Sequence, residues 1–260
     1  MKVAVIDLDS LAFYAGHPNK VLDEFGNPKR TEDNSKFLYT DKTDVELRAS
    51  VDYLMNSLLS KGKFDGYIAY IKGKNTILER KEINIEYKNN RNKEAPKWWP
   101  FIKDYLISNW NAVSVDNMEV DDAVNITRLQ VSESFICAID KDLLNLHGTH
   151  YNWSKDLWVE TNKDVADYEF WKDLITGQSG DNIKGVPGVG KANEIFTKQL
   201  FKPNAMYVLE LYIRKMGEEI GVSEFYKNYK SLKILSSKSD FVIPEVIKYS
   251  NVGTEKVEEW

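Results

Sequence analysis

The residues of this chain that could do chemistry are acids. Asp7 and Asp9 follow the apolar run Val3-Ala-Val-Ile6, and Asp140 and Asp142 follow a second run, Ser134 to Ile139. Between them lies a third group, Glu119, Asp121 and Asp122, at the head of a stretch that continues through Ala123 and Ile126 toward Leu129 with helical spacing. Glu119 and Asp122 are three apart and share a helix face. Taken singly, such acids have ordinary explanations: they suit the first turn of a helix, and an Asp after a strand often caps or turns the chain. Together they are harder to explain, because two carboxylates about 4 Å apart repel by roughly 4 kcal/mol at an effective dielectric near 20. Several acids in one crevice therefore require arginine or a divalent cation. A set made only of carboxylates selects a hard ion, Mg²⁺ or Mn²⁺, over Zn²⁺. His17, His147 and His150 have no zinc-site spacing, and the last two are expected in loops.

The elements that must position these acids follow from periodicity. Val3 to Ile6, Gly66 to Ile71 and Ser134 to Ile139 are expected to be buried strands, and Thr43 to Leu59 and Trp98 to Trp110 carry helical spacing. Asp41 and Thr43 are candidate caps. Strands alternating with helices imply a parallel α/β sheet, and ligand sites in such sheets form beyond the carboxyl ends of the strands. Residues 17 to 40 are polar and suggest a loop or peripheral insertion. From about Tyr168 the pattern becomes helical with glycine punctuation, which sets a domain change near residue 165 and divides the chain into 1–165 and 166–260.

The chain has 260 residues, 42% of them hydrophobic and 29% charged, as expected of a globular protein with one main core and a smaller appendage. The only cysteine, Cys137, is expected in a buried strand, so no disulfide forms within the chain and a reducing, cytoplasmic setting follows. No run has the length of a membrane span, and a monomer is expected. The net charge of −5 argues mildly against nucleic acid, but an acidic metal site would account for it, so the distribution of charge matters more. Between the second strand and Trp98 lie Lys72, Lys74, Arg80, Lys81, Lys88, Arg91, Lys93 and Lys97, diluted by Glu79, Glu82, Glu86 and Glu94. By charge alone this is a solvated face. Trp98 and Trp99 are expected to pack.

Lys184-Gly-Val-Pro-Gly-Val-Gly-Lys191 precedes a stretch, Ala192 to Leu200, expected to be helical. Pro187 and Gly188 suit the centre of a type II turn. Glycines at a helix N-terminus let backbone N–H groups approach a phosphate. The spacing approaches a P-loop, but Ala192 stands where Ser or Thr is required, and no strand clearly precedes the hairpin. A non-specific DNA backbone clamp through Lys184, Gly185, Gly188, Gly190 and Lys191 is the better reading.

These motifs resemble those of the phage 5′–3′ exonuclease and flap endonuclease family, which is related to the 5′-nuclease domain of bacterial DNA polymerase I. Val5-Ile-Asp7-Leu-Asp9 resembles its first strand and metal aspartate, Tyr87-Lys-Asn-Asn-Arg91 its YKGNR segment, Glu119-Val-Asp-Asp122 its E-x-D-D, Asp140-Lys-Asp142 its D-x-D, and Gly180-Asp-Asn-Ile-Lys-Gly-Val-Pro-Gly-Val-Gly190 its GDN…GVPGVG stretch. The five occur in order. The resemblance implies a PIN-like parallel-sheet domain followed by a helical helix–three-turn–helix domain. It implies two divalent ions held or surrounded by Asp7, Glu119, Asp121, Asp122, Asp140, Asp142 and Asp181, with Asp9 near enough to assist. Lys88 and Arg91 would steady the scissile phosphate, Lys81 would belong to a basic arch over the site, and K⁺ would bind in the glycine hairpin. The partner would be DNA with a 5′ end or flap, or an RNA–DNA hybrid, in a host cytoplasm if the chain is phage-encoded.

Two positions depart from the family pattern. Ile71 stands before Lys72-Gly-Lys74 where flap endonucleases carry a metal Asp, and Gln178 replaces the first acid of G-D-x-x-D. The second ion should accordingly bind more weakly. Two other readings compete: a branched-DNA binding protein with weakened catalysis, and a haloacid-dehalogenase-type phosphatase, whose D-x-D-x-[TS] opening resembles Asp7-Leu-Asp9-Ser10.

Overall fold

Val3–Asp7 forms β1, and all five of its residues are buried, as expected of a strand covered on both faces. The computed structural model describes residues 1–91, 94–196 and 204–249. Asp7 caps the next element, α1 (Leu8–Gly16), its carboxylate accepting from the Asp9 N–H at 3.0 Å. The polar stretch after α1 is a peripheral antiparallel ribbon: β2 (Asn19–Lys20) pairs with β3 (Tyr39–Thr40), with further bridges between Leu22 and Pro28 and between Arg30 and Phe37. Then comes α2 (Asp44–Gly62), started by a reciprocal capping box between Thr43 and Glu46, so Thr43 rather than Asp41 is the cap.

β4 (Gly66–Lys72), α3 (Leu78–Ile83), α4 (Trp99–Trp110), β5 (Val113–Val115), α5 (Val120–Gln130), β6 (Ser134–Cys137), α6 (Lys141–Leu144), β7 (Gly148–Asn152) and β8 (Leu157–Thr161) come next. β1 lies between β4 and β6, parallel to both. β5 continues the sheet beside β4, and β7 beside β6, also parallel. β8 runs antiparallel to β7. Successive side chains of β1 enter opposite cores: Ala4 and Ile6 face a cluster that includes Leu11 of α1, Met55 of α2 and Leu106 of α4, while Val5 joins Val120, Ala123 and Val124 of α5 on the other face. Trp98 and Trp99 pack at the edge of the first cluster, with Phe13 edge-on to Trp98 at 5.3 Å. Cys137 is free and buried in β6. His150 departs from its expected loop. It lies fully buried in β7, a strand whose polar sequence conceals its pairing with β8, and its ring nitrogen Nε2 stands 2.6 Å from the Leu146 carbonyl oxygen.

The remainder comprises α7 (Lys163–Thr176), β9 (Gly177–Gln178), β10 (Ile183–Lys184), α8 (Ala205–Met216), α9 (Glu218–Leu232) and β11 (Ile247–Lys248). A third cluster holds Leu174, Ile175, Val186, Val208, Tyr212 and Phe225 together. After α9 the chain returns to the main sheet: Ile234, Leu235 and Phe241 pack over the α5 face, and β11 pairs antiparallel with β4. Among the described residues no helix is long and apolar enough to cross a membrane.

Candidate metal and nucleic-acid site

Because β1, β4 and β6 run in one direction, their carboxyl ends share one edge of the sheet, and the segments that leave those ends converge there. Asp7 ends β1, and Asp140 caps α6 just beyond β6, accepting from the Asp142 N–H at 2.8 Å. The N-terminus of α5 brings Glu119 and Asp121 to the same edge, and a single turn of 3₁₀ helix, Ser179–Asp181, closes the far side. A cleft of about 990 Å³ is lined by Asp7, Asp9, Glu119, Asp121, Asp140, Asp142 and Asp181, together with Lys81, Lys88 and Arg91. Asp122 does not line it. Its Oδ1 is held from behind, accepting from Arg80 and from the Leu235 N–H, both at 2.8 Å.

Charge divides the cleft into two halves. In one, every acid has a cation. Glu119 pairs with Arg80 and Lys88 and accepts from the Tyr87 hydroxyl at 2.8 Å. Asp181 pairs with Arg91 at 2.5 Å and lies 3.9 Å from Lys88. Tyr87 is buried, and its hydroxyl spans the two acids, with Asp181 at 3.4 Å, so it is a wall of the site and has no face free for a base. Burial pulls the Lys88 ammonium below its ordinary pKa, against the pull of Asp181.

In the other half, no ion pair reaches Asp7, Asp121 or Asp140 among the described residues. Burial, then the charges of Asp9 and Asp121, push the Asp7 carboxyl far above its ordinary value. Burial and then Asp140 push Asp121 up to about 7. Asp142 is raised by burial and by Asp140. Among the described residues no three acids stand at coordinating distance as placed. Burial, surplus negative charge and donors that are all oxygen fit a hard divalent cation on the Asp7, Asp121 and Asp140 side.

The glycine hairpin lies apart from this cleft. Lys184 and Lys191 line a second hollow of about 460 Å³ with Asn90, Ser179 and Asn182. Gly188 has φ +75° and the Val189 N–H donates to the Val186 carbonyl at 3.1 Å, as a type II turn at Pro187-Gly188 requires. A Cβ at Gly185 would overlap the Ile175 carbonyl oxygen, whereas one at Gly190 would meet nothing within 4 Å. A short strand, β10, does precede the hairpin. Of the helical stretch expected after it, Glu194–Phe196 is a 3₁₀ turn. Residues 197 to 200 lie outside the described residues, as does Lys93.

No protein-family model matches the chain, and no curated protein matches it by sequence. Solved structures do resemble it. A bacteriophage T5 protein co-crystallised with metal ions superposes with a TM-score of 0.59 at 17% identity, covering 88% of each chain. The T5 5′-exonuclease with bound zinc gives 0.59 at 16%, covering 89% of this chain and 86% of that one. A T5 flap endonuclease in a pseudo-enzyme–product complex with DNA and metal ions gives 0.58 at 15%, covering 89% and 91%. The chain has the fold of the T5 5′-exonuclease.

Within this T5 5′-exonuclease fold, three features of the cleft escape the motifs. Ile71 is fully buried in β4, so that strand brings no carboxylate to the edge. Arg80, one of many charges in the basic segment by sequence, is the cation that bridges Glu119 and Asp122 and also donates to the Lys233 carbonyl at 3.0 Å. Asp173, on α7, lines the cleft beside Asp142 and accepts from Gln178 at 2.7 Å. Its only sequence signal is its distance of five residues from Gln178.

Proposed function

We propose that the chain hydrolyses DNA phosphodiester bonds from or near a 5′ end, as a divalent-metal-dependent 5′–3′ exonuclease or flap endonuclease, with RNA in RNA–DNA hybrids as a second substrate. The observation that carries this reading is the pairing of opposites in one cleft. Among the described residues no ion pair reaches the carboxylates of Asp7, Asp121 and Asp140, and they share the cleft with the cations Lys88 and Arg91. The likeness in fold to nucleases crystallised with metal ions and DNA supports it.

In this reading Asp7, Asp121, Asp140 and Asp142 hold Mg²⁺ or Mn²⁺, with Glu119 and Asp181 adjoining and Asp122 setting the position of Arg80. When bound, two such ions supply an activated water and a clamp on the attacking and leaving oxygens. The protein's own part is electrostatic. Lys88 and Arg91 bind the scissile phosphate where charge develops, and Tyr87 orients Glu119 and Asp181 by its hydroxyl. Residues 1–165 act as the nuclease domain and 166–260 as the DNA-binding domain. There Lys184, Gly185, Gly188, Gly190 and Lys191, with K⁺ in the hairpin and Lys81 at the cleft, grip duplex phosphates without reading sequence.

The test is cleavage of a 5′-labelled duplex and a 5′-flap substrate with Mg²⁺, Mn²⁺ or EDTA, beside Asp140→Asn. Metal-dependent product lost in the variant supports the reading, and the preferred substrate separates exonuclease from flap endonuclease. Two observations favour a second reading, a branched-DNA binding protein with weakened cutting: Ile71 is buried where an acid would serve, and Gln178 is neutral. Tight binding without product under any metal would select it.

A further inference from the structure

Gln178 and Asp173 lie side by side at the cleft, five residues apart in sequence. The Gln178 amide nitrogen donates to Asp173 Oδ2 at 2.7 Å and to Asp142 Oδ1 at 3.3 Å. The Lys141 ammonium spans the same two acids, 3.3 Å from Asp173 and 3.2 Å from Asp142. The Asp173 side chain is only 13% exposed, so its charge is held close to the cleft wall. Only a donor fits between two carboxylates. The nitrogen must therefore face them, and the amide oxygen of Gln178 turns away. An acid at position 178 would instead stand as a third carboxylate beside the single ammonium of Lys141.

We propose that Asp173 is a positioning residue of the site, acting with Gln178: the α7 carboxylate carries the negative charge that position 178 lacks, and it holds Asp142 in place through the Gln178 amide and the Lys141 ammonium. This rests on the nuclease reading in that Asp142 is taken to face a divalent ion. Neutralising Asp173 should loosen Asp142, and restoring an acid at 178 should offset that loss.

The experiment is calorimetric titration of the full-length, DNA-free protein with Mn²⁺, with thermal melts in EDTA as the control for folding. Asp173→Asn and Gln178→Ala should each weaken Mn²⁺ binding by roughly 10- to 100-fold, as loss of an outer partner of a ligand does. The double variant D173N/Q178A should lose less than the product of the two single losses, because Asp173 acts in part through Gln178. D173N/Q178D should recover to within about threefold of the wild type, with the melting temperature in EDTA little changed throughout. Unchanged Mn²⁺ affinity in Asp173→Asn, losses that multiply in the double variant, or no recovery in D173N/Q178D would overturn the proposal. So would a large fall in the EDTA melting temperature with Mn²⁺ affinity retained, since that marks a purely structural role. Cleavage by the same wild-type preparation is read separately. The binding pattern without any cutting would count against the nuclease reading alone, and cutting without the pattern against this inference alone.

Discussion

The backbone N–H of Lys88 donates to the carbonyl oxygen of Asp181 at 2.9 Å, joining the basic segment to the turn that leads into the glycine hairpin. Lys88 holds a left-handed backbone, φ +54°, and its side chain turns into the cleft onto Glu119. The ammonium is thus fixed from two directions. Lys88→Ala keeps the backbone bond and removes only the charge. Single-turnover cleavage should fall by about 10²-fold, in the range for loss of one preorganised electrostatic group, while duplex affinity changes less than about threefold. Equal losses in both would show a binding role instead.

Arg80 bridges Glu119 and Asp122, and all three side chains are nearly buried. Arg80→Ala should destabilise the metal-free protein by about 3 kcal/mol, because it leaves buried Asp122 without its cation and Glu119 with Lys88 alone. Urea denaturation in EDTA measures this, and an unchanged midpoint would contradict the assignment.

The carboxyl of Asp121 is raised from 3.8 to about 7, chiefly by burial, and that of Asp7 is raised as well. Between pH 4 and 7 the folded protein therefore binds more protons than the unfolded chain, and stability falls as pH rises. Below the unfolded value both forms are protonated and the effect vanishes. Thermal melts in EDTA should show a decline across this window. Added Mg²⁺ should raise the melting temperature more at pH 8 than at pH 5, since cation and proton compete for the same oxygens. A Mg²⁺ effect independent of pH would separate the ion from these acids.

Two glycines of the hairpin should respond oppositely. Gly185→Ala should lower stability by roughly 1–3 kcal/mol, because its Cβ would overlap the Ile175 carbonyl. Gly190→Ala has open space and should leave stability unchanged while weakening duplex binding, if phosphate approaches the backbone there. Melting curves beside fluorescence anisotropy on labelled duplex distinguish the two.

Lys191 is exposed beside the second hollow. Lys191→Ala should weaken binding equally for unrelated duplex sequences and reduce the slope of log affinity against log salt by about 1. A sequence-dependent loss would refute a phosphate clamp.

The sequence by itself determined the local features. An apolar strand, Val3 to Ile6, leading into Asp7, an acidic helix start at Glu119 to Asp122, a cap at Asp140 and a turn at Pro187-Gly188 are written in residue type and spacing, because strand and helix periodicity and turn chemistry act over a few neighbours. The parallel sheet followed from the alternation of those elements. Tertiary structure alone decided which charges meet. Arg80 was one cation among many until folding set it between Glu119 and Asp122. Asp173 had no motif until α7 laid it beside Asp142. The segment after α9 carried no signal of its role, yet Leu235 donates to Asp122 and Lys233 accepts from Arg80. Polar β7 hid the burial of His150 in the same way. The pairings of Leu235 and Lys233 join residues more than a hundred positions apart, those of Arg80 and Asp173 join residues thirty or more apart, and spacing along the chain does not encode a contact made only when two separately formed elements pack.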